Sequence, residues 1–432
     1  MRERMCPNRS ARGRTPVTQR ERQGWVIVAS LFVTLFLIFG SGYDTSGLFF
    51  PQLLKHFGWT HTKTALLTSA LALSAGFSAP LIGWLLDRVE ARVVMSAGAL
   101  AAGLAFFMAS RADSFPPMLT AYLVLGVGIG GATLLPTSLV IANWFGARRG
   151  LAMGIALAGT SLGGAGMTLT GNYAILHFGG WRAGYLALGA PMIFIVIPLL
   201  ILMVHSRPPQ TEKLTVAQAA DALPGLELSE ALRTRSFWTL TSAQFLYAVV
   251  ASGAGLHLIS YLMGLGYTGT FAASMMSLVY LGTSFGKTVM GVLADRVGAR
   301  IALAANFIAA AVGMVLIFGA AHVGILVAFV IVFGFTLGAP LVLCPLLQVE
   351  SLGLKRFGSI GGFSGVFNTV GAMIGPVATG KIFDVAGSYS AAFEVMVVMC
   401  LLGAVVTLAC RPLESEQARL RPLAAAAPAT AS

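Results

Sequence analysis

Lys287 stands inside an apolar stretch, in SFGKTVMGVLADR (284–296), with Val289, Val292 and Leu293 following it. Asp295 lies eight residues further on, about 12 Å along a helix. That is too far for the ammonium to reach an aqueous interface by extending its stem. Tyr280, Thr283, Ser284, Lys287 and Gly291 recur at helical spacing and share one face. A lysine on such a polar stripe points toward a cavity rather than lipid. Its chemistry is the donation of charged hydrogen bonds to an anion, or the surrender of a proton when buried. Asp44, in GSGYDTSGLFF, is the second charge of interest; a carboxylate there can take up a proton and so switch its attraction to Lys287. His257, in GLHLISYL, can do proton chemistry near neutral pH, and Tyr43, Asn172 and Asn368 offer hydrogen bonds. Each has a plainer reading: a structural ion pair for Lys287, a water-exposed position for Asp44, polar packing for His257.

The elements that carry these residues follow from composition. Of 432 residues, 56% are hydrophobic and 10% charged, against about 25% charged in a soluble domain. Lipid must therefore be the solvent for much of the chain. Twelve apolar runs are long enough to span it: 25–47, 62–85, 93–110, 117–143, 149–176, 181–205, 236–264, 270–294, 300–320, 323–349, 357–383 and 389–411. They lack strict alternation and exceed barrel-strand length, so they are helices, and the class is an all-α membrane protein. The net charge of +12 does not point to nucleic acid, because the basic residues cluster in alternate connections. Arg88, Arg92, Arg148, Arg149, Arg296, Arg300, Lys355 and Arg356 belong to one set of loops, with the N-terminal tail; Lys55, Lys63, Arg111 and Arg182 are the basic residues of the other. This distribution predicts a plasma (inner) membrane protein with both termini cytoplasmic, and a basic tail able to touch anionic lipid. The first run is too long for a cleavable signal peptide. Four cysteines give no disulfide framework, and no Cys/His cluster has metal-ligand spacing. Neither a cofactor nor catalysis is expected.

The chain repeats itself. GWLLDRVEAR (83–92) matches GVLADRVGAR (291–300), LGVGIGGA (125–132) matches FGFTLGAP (333–340), and Gly150 and Gly163 match Gly358 and Gly371. Each pair is offset by 208 residues, as in 291 − 83 = 208. An offset held without a gap over about a hundred residues predicts two six-helix bundles related by a pseudo-two-fold axis, the parallel-repeat design of transporters. The expected divisions are a tail (1–24), a first bundle (25–205), a linker (206–235), a second bundle (236–411) and a C-terminal tail (412–432). In the duplicated loop, Asp87, Arg88 and Arg92, with Asp295, Arg296 and Arg300, are candidate gating residues. A carboxylate at a helix end can meet a helix N-terminus or an arginine, and so lock the halves together at one side.

The duplicated G-x-L-x-D-R-V-x-x-R sequence resembles the signature loop of the major facilitator superfamily, over essentially the whole chain from Trp25 to Arg411. WFGARRGLAMGIALAGTSLG (144–163), GWVIVAS (24–30) and FGWT (57–60) are similar to the monocarboxylate transporter and oxalate–formate antiporter group. The resemblance implies a secondary transporter moving a small organic anion by alternating access, coupled to protons or a counter-anion. It also implies that Lys287 occupies the position of an eighth-helix arginine that binds the substrate carboxylate, and that the chain functions as a monomer. Three departures stand out. Tyr122 replaces a membrane-embedded arginine of many facilitators. Thr283 replaces an acid one turn before the eighth-helix cation. Asp44 falls where animal relatives carry a lysine. The eleventh helix holds no cation between Phe357 and Pro376, so one carboxylate suits the chain better than two. The alternative within the fold is export of a drug or another neutral or cationic solute.

Overall fold

The computed structural model describes residues 19–425 other than 60, 147 and 207–222. Most of the basic N-terminal tail, most of the linker and the last residues lie outside the described residues. What is described is almost entirely helical, because a chain in hydrocarbon must satisfy its backbone N–H and C=O groups within itself. Twelve helices form the body: α1 (Glu21–Asp44), α2 (His61–Leu86), α3 (Ala91–Arg111), α4 (Phe115–Trp144), α5 (Arg149–His177), α6 (Trp181–Met203), α7 (Arg235–Gly264), α8 (Gly269–Val297), α9 (Ala299–Gly319), α10 (Val323–Leu352), α11 (Phe357–Ala386) and α12 (Ser390–Leu408). Among the described residues, eleven are long and apolar enough to cross a membrane. The remaining one is α8. At 29 residues it has the length, but Thr283, Ser284, Lys287 and Thr288 dilute its apolar run. The helix that carries the candidate cation is thus the one that the apolar criterion leaves out.

The packing repeats with the sequence. In the first half α1 lies on α5, α2 on α4, and α3 on both α4 and α6; in the second, α7 lies on α11, α8 on α10, and α9 on both α10 and α12. Adding six to each helix number of the first set gives the second set. The halves meet along two seams, α2 against α11 and α5 against α8, which exchange under the same operation. Interruptions fall where proline or a departure from helical dihedrals removes a backbone bond. α4 is interrupted at Thr133 (φ −117°, ψ −105°), α10 at Ala339 before Pro340, and α6 by a π segment after Pro191. α1 also ends in a π segment, Gly40–Asp44, which sets Asp44 at its last position.

Away from the duplicated loops, the amphipathic helix Ser46–Phe57 covers the end of the first half. Its Phe49 is buried and stacks on Tyr185 with centroids 3.9 Å apart. Tyr185 shares a 2.9 Å hydrogen bond with Tyr122, and both rings are buried. The fourth helix therefore meets the sixth through a satisfied pair of hydroxyls, which is what burial of two phenols requires.

At the other end the close of the linker straps onto the α10–α11 connection. Leu226 donates its N–H to the Leu352 carbonyl at 3.0 Å, and Leu354 donates to Pro224 at 2.9 Å. Glu227 then takes Arg356 at 2.8 Å and Lys355 at 3.1 Å. The hydrogen bond from Arg356, with Lys355 behind it, holds the Glu227 carboxyl below its usual 4.5. A depressed carboxylate contributes above its ordinary value and loses that contribution as pH falls through the depressed one. Being partly exposed, the pair is screened and worth little globally. Glu227→Gln is accordingly expected to speed proteolytic cleavage of the linker several-fold at neutral pH while changing global stability by less than about 1 kcal/mol. Limited proteolysis with a parallel thermal melt measures both, and the variant and parent should converge below the carboxylate range.

Candidate functional site

The duplicated loops reach across the molecule. Asp87, just after α2, accepts the N–H of Gly358 at 3.0 Å and of Ser359 at 2.9 Å, together with the Ser359 hydroxyl. Asp295, near the end of α8, accepts the N–H of Gly150 at 2.7 Å and of Leu151 at 2.9 Å. Each carboxylate thus caps the first turn of a helix in the opposite half, where unpaired N–H groups and the helix dipole favour a negative charge. The four partners are repeat mates: 295 − 87 = 208 and 358 − 150 = 208. Burial pushes the Asp87 carboxyl above its ordinary value, against the pull of the Ser359 and Gly358 donors. Asp87 is buried, whereas its mate Asp295 is exposed.

Glycine makes these contacts reachable. A Cβ on Gly83 or Gly291 would overlap the carbonyl oxygen of Gly358 or Gly150, and the reverse holds as well. The arginines of the loops do other work. Arg88 lies over the Trp84 ring at 4.1 Å, and Arg300 donates to the Cys410 carbonyl at 3.2 Å, each within its own half. Arg92 is half-buried and Arg296 exposed. Arg149, at the start of α5, shares a cleft with Asp295 and Glu350, and Glu350 caps α9 through the Ala299 N–H at 2.8 Å.

Lys287 lies deeper on the α5–α8 seam and is 3% exposed. Its Nζ donates to Thr160 Oγ1 at 2.6 Å, Ser161 Oγ at 2.8 Å and the Leu157 carbonyl at 3.4 Å, all on α5. The stem passes Gly338 at the interruption of α10, where a Cβ would come within 2.9 Å of Lys287 Cε. Asp44 is within electrostatic reach of Lys287 but forms no direct ion pair with it. The aspartate is exposed and packs against Gly164 of α5.

A cavity of about 250 Å³ lies between α1, α2 and α4 of one half and α7, α10 and α11 of the other. No Asp, Glu, Lys, Arg or His is among its described lining residues. Its polar groups include Gln244, Gln348 and Asn368, and its hydroxyls are largely spent on the backbone, as where Tyr247 donates to the Leu337 carbonyl at 2.7 Å. The repeat explains why it lies to one side. Ala79 is the mate of Lys287 (287 − 208 = 79), and Asn368 and Thr369 are the mates of Thr160 and Ser161. Ala79 leaves open on the α2–α11 seam the volume that the lysine stem fills on the α5–α8 seam.

The sequence candidates therefore separate. Tyr43 and Asn368 line the cavity, Tyr43 stacked on Phe39 and Asn368 donating to the Gln244 carbonyl at 3.3 Å. Lys287, placed toward a cavity by its polar stripe, is instead sealed in a helix seam by three neutral acceptors. Tyr280 and Asn172 are exposed, and the Ser284 hydroxyl is buried with no partner among the described residues. His257 has both ring nitrogens engaged, by the Pro376 carbonyl at 3.0 Å and the Tyr389 hydroxyl at 3.3 Å, and so braces α7 against α11. The sequence motifs do not pick out Thr160, Ser161 or Gly338. The signal for the first two was available: they are the repeat mates of Asn368 and Thr369.

Comparison with known proteins agrees with this arrangement. The Major Facilitator Superfamily profile matches residues 31–278 and 264–431. Monocarboxylate transporter 13 of Bos taurus is 26% identical over 394 residues, covering 89% of this chain and 88% of its own. Monocarboxylate transporter 3 of Rattus norvegicus is 28% identical, covering 86% of this chain and 76% of its own. Among solved structures, the human organic anion transporter MFSD10 superposes with a TM-score of 0.71 at 17% identity, over 90% of this chain and all of its own. With twelve helices in two pseudo-symmetric bundles and a duplicated loop that caps across them, the chain belongs to the major facilitator superfamily, close to the monocarboxylate transporter group.

Proposed function

We propose that this transporter moves a small organic anion, a monocarboxylate, by alternating access. The observation that carries the reading is Lys287: a buried cation with no direct carboxylate partner among the described residues, on a seam that parts when the halves rock. A charge in that position is normally paired or faces water. Three neutral acceptors satisfy its hydrogen bonds without cancelling its charge, so a carboxylate able to reach it gains a charge-assisted bond. The names of the monocarboxylate and organic anion transporters it resembles support the same substrate class. The basic loops support a cytoplasmic placement of the Asp87 and Asp295 contacts, and of both termini.

The second reading, transport of a neutral or cationic solute, is favoured by the uncharged cavity lining. Purified protein in liposomes distinguishes them. Labelled monocarboxylates should accumulate, and should compete with one another, while uncharged analogues of the same size should do neither. Uptake of the uncharged analogue at an equal rate would favour the second reading.

Coupling is assigned to protons through Asp44. In this reading the protonated carboxyl no longer offsets Lys287, which leaves the cation to the anion. Asp44→Asn is expected to cut uptake driven by an imposed pH gradient about tenfold or more, while sparing exchange of labelled for unlabelled anion. Gradient-driven uptake unchanged in Asp44→Asn would instead favour a counter-anion as the coupling species.

A further inference from the structure

We infer that Thr160 and Ser161 act as a built-in substitute for the substrate carboxylate, latching α5 to α8 through Lys287 until an anion displaces them. The inference rests on the reading of Lys287 as the anion ligand and adds what holds that ligand when no anion is present.

The bonding has a direction. A lysine ammonium has three donors, and all three acceptors are on α5. Thr160 sends its own proton to the Leu157 carbonyl at 2.8 Å, which leaves its lone pairs for Lys287. Thr283 sends its proton to the Tyr280 carbonyl at 2.6 Å. The 2.9 Å bond between Ser161 and Thr283 must therefore run from Ser161 to Thr283, leaving Ser161 to accept from Lys287. The chain of donors is Lys287 to Ser161 to Thr283 to the α8 backbone, and it crosses the seam twice. Gly154 brings the two backbones close enough for this: a Cβ there would fall 2.7 Å from the Lys287 carbonyl oxygen.

The lysine belongs to one half and its acceptors to the other. Parting of the seam removes all three acceptors together and strands a buried charge, which is costly when nothing replaces them. An anion supplies the replacement. The unloaded protein is thus held shut on this side, and substrate binding releases it. The opposite seam has no counterpart, because Ala79 stands where Lys287 would be, and Asn368 and Thr369 line the cavity instead.

The test uses the full chain in lipid nanodiscs with pyruvate as the probe. The variants are Thr160→Val with Ser161→Ala, and Ser161→Ala alone as a milder change should the double variant fold poorly. Two quantities are measured. One is hydrogen exchange at the Gly150 and Leu151 amides without any anion, which reports opening of the Asp295 contact. The other is pyruvate affinity. In the double variant, exchange should quicken at least about tenfold and pyruvate should bind at least about tenfold tighter, because two charged hydrogen bonds no longer compete with the anion. Thr160→Ser with Ser161→Thr keeps both hydroxyls and should restore both values. Unchanged exchange in the double variant overturns the latch. So does weaker pyruvate binding with unchanged exchange, which would make the hydroxyls ligands of the substrate. A parent protein that binds no monocarboxylate removes the reading of Lys287 as the anion site, and the exchange measurement still decides whether the hydroxyls hold the seam.

Discussion

Replacing Lys287 by alanine is expected to lower monocarboxylate uptake into liposomes by at least about a hundredfold. Truncating one partner of a buried, hydrogen-bonded charge costs about 2–5 kcal/mol, and each 1.4 kcal/mol is a factor of ten. The variant should still insert and fold, since alanine already occupies the mate position, Ala79, on the other seam. Lys287→Arg tests the geometry. It keeps the charge, but the planar fork of arginine needs more room than the slot between α5 and Gly338 gives. Uptake should fall by about tenfold, with weakened affinity as the main effect. Alanine at 287 with normal uptake would remove Lys287 from the transport mechanism.

The second large effect is expected at the crossed loops. Valine at Gly83 or Gly291 would place side-chain carbon inside the partner backbone of Gly358 or Gly150. Backbone cannot yield there as a flexible side chain can, so the seam cannot shut. Either substitution should cut transport about twentyfold or more and speed hydrogen exchange at the opposite amides, Ser359 or Leu151. Because the two contacts are exchanged by the pseudo-two-fold axis, the two variants should agree within about threefold. A silent Gly83→Val beside an inactive Gly291→Val would show that only the α5–α8 contact governs closure.

Most of the fold was legible because lipid imposes it. Apolar runs of spanning length fix the helices, and the gapless 208-residue offset fixes two similar bundles. The polar character of α8 was also visible, in Thr283, Ser284 and Lys287. What the helical period could not tell was which neighbour that polar face meets. It placed Lys287 on a face; only the three-dimensional packing puts α5, rather than the cavity, in front of it. Thr160 and Ser161 were hidden among the glycines of GTSLG (159–163), which look like packing residues. In the loops, the aspartates and arginines stand side by side in sequence and separate in space. The aspartates reach helix N-termini of the other half, while Arg88 and Arg300 turn back to Trp84 and the Cys410 carbonyl. A pattern read along one chain segment does not contain its partner 271 residues away, as for Asp87 and Gly358.

The crossed caps have a consequence for the origin of the chain. Asp87 completes a helix of the second half and Asp295 completes one of the first, with matched donors and acceptors. That is the form of an isologous contact between two identical subunits, in which residue i of one meets residue j of the other and the reverse. A half-length ancestor would have had a helix start without its cap and a carboxylate without its donors, and a second copy of itself would have supplied both. A duplication joining two such subunits would link surfaces that already complete each other, and would leave each half free to change. Lysine at 287 with alanine at 79 is a difference of that kind: a single chain permits one cation where the symmetry of a homodimer would demand two.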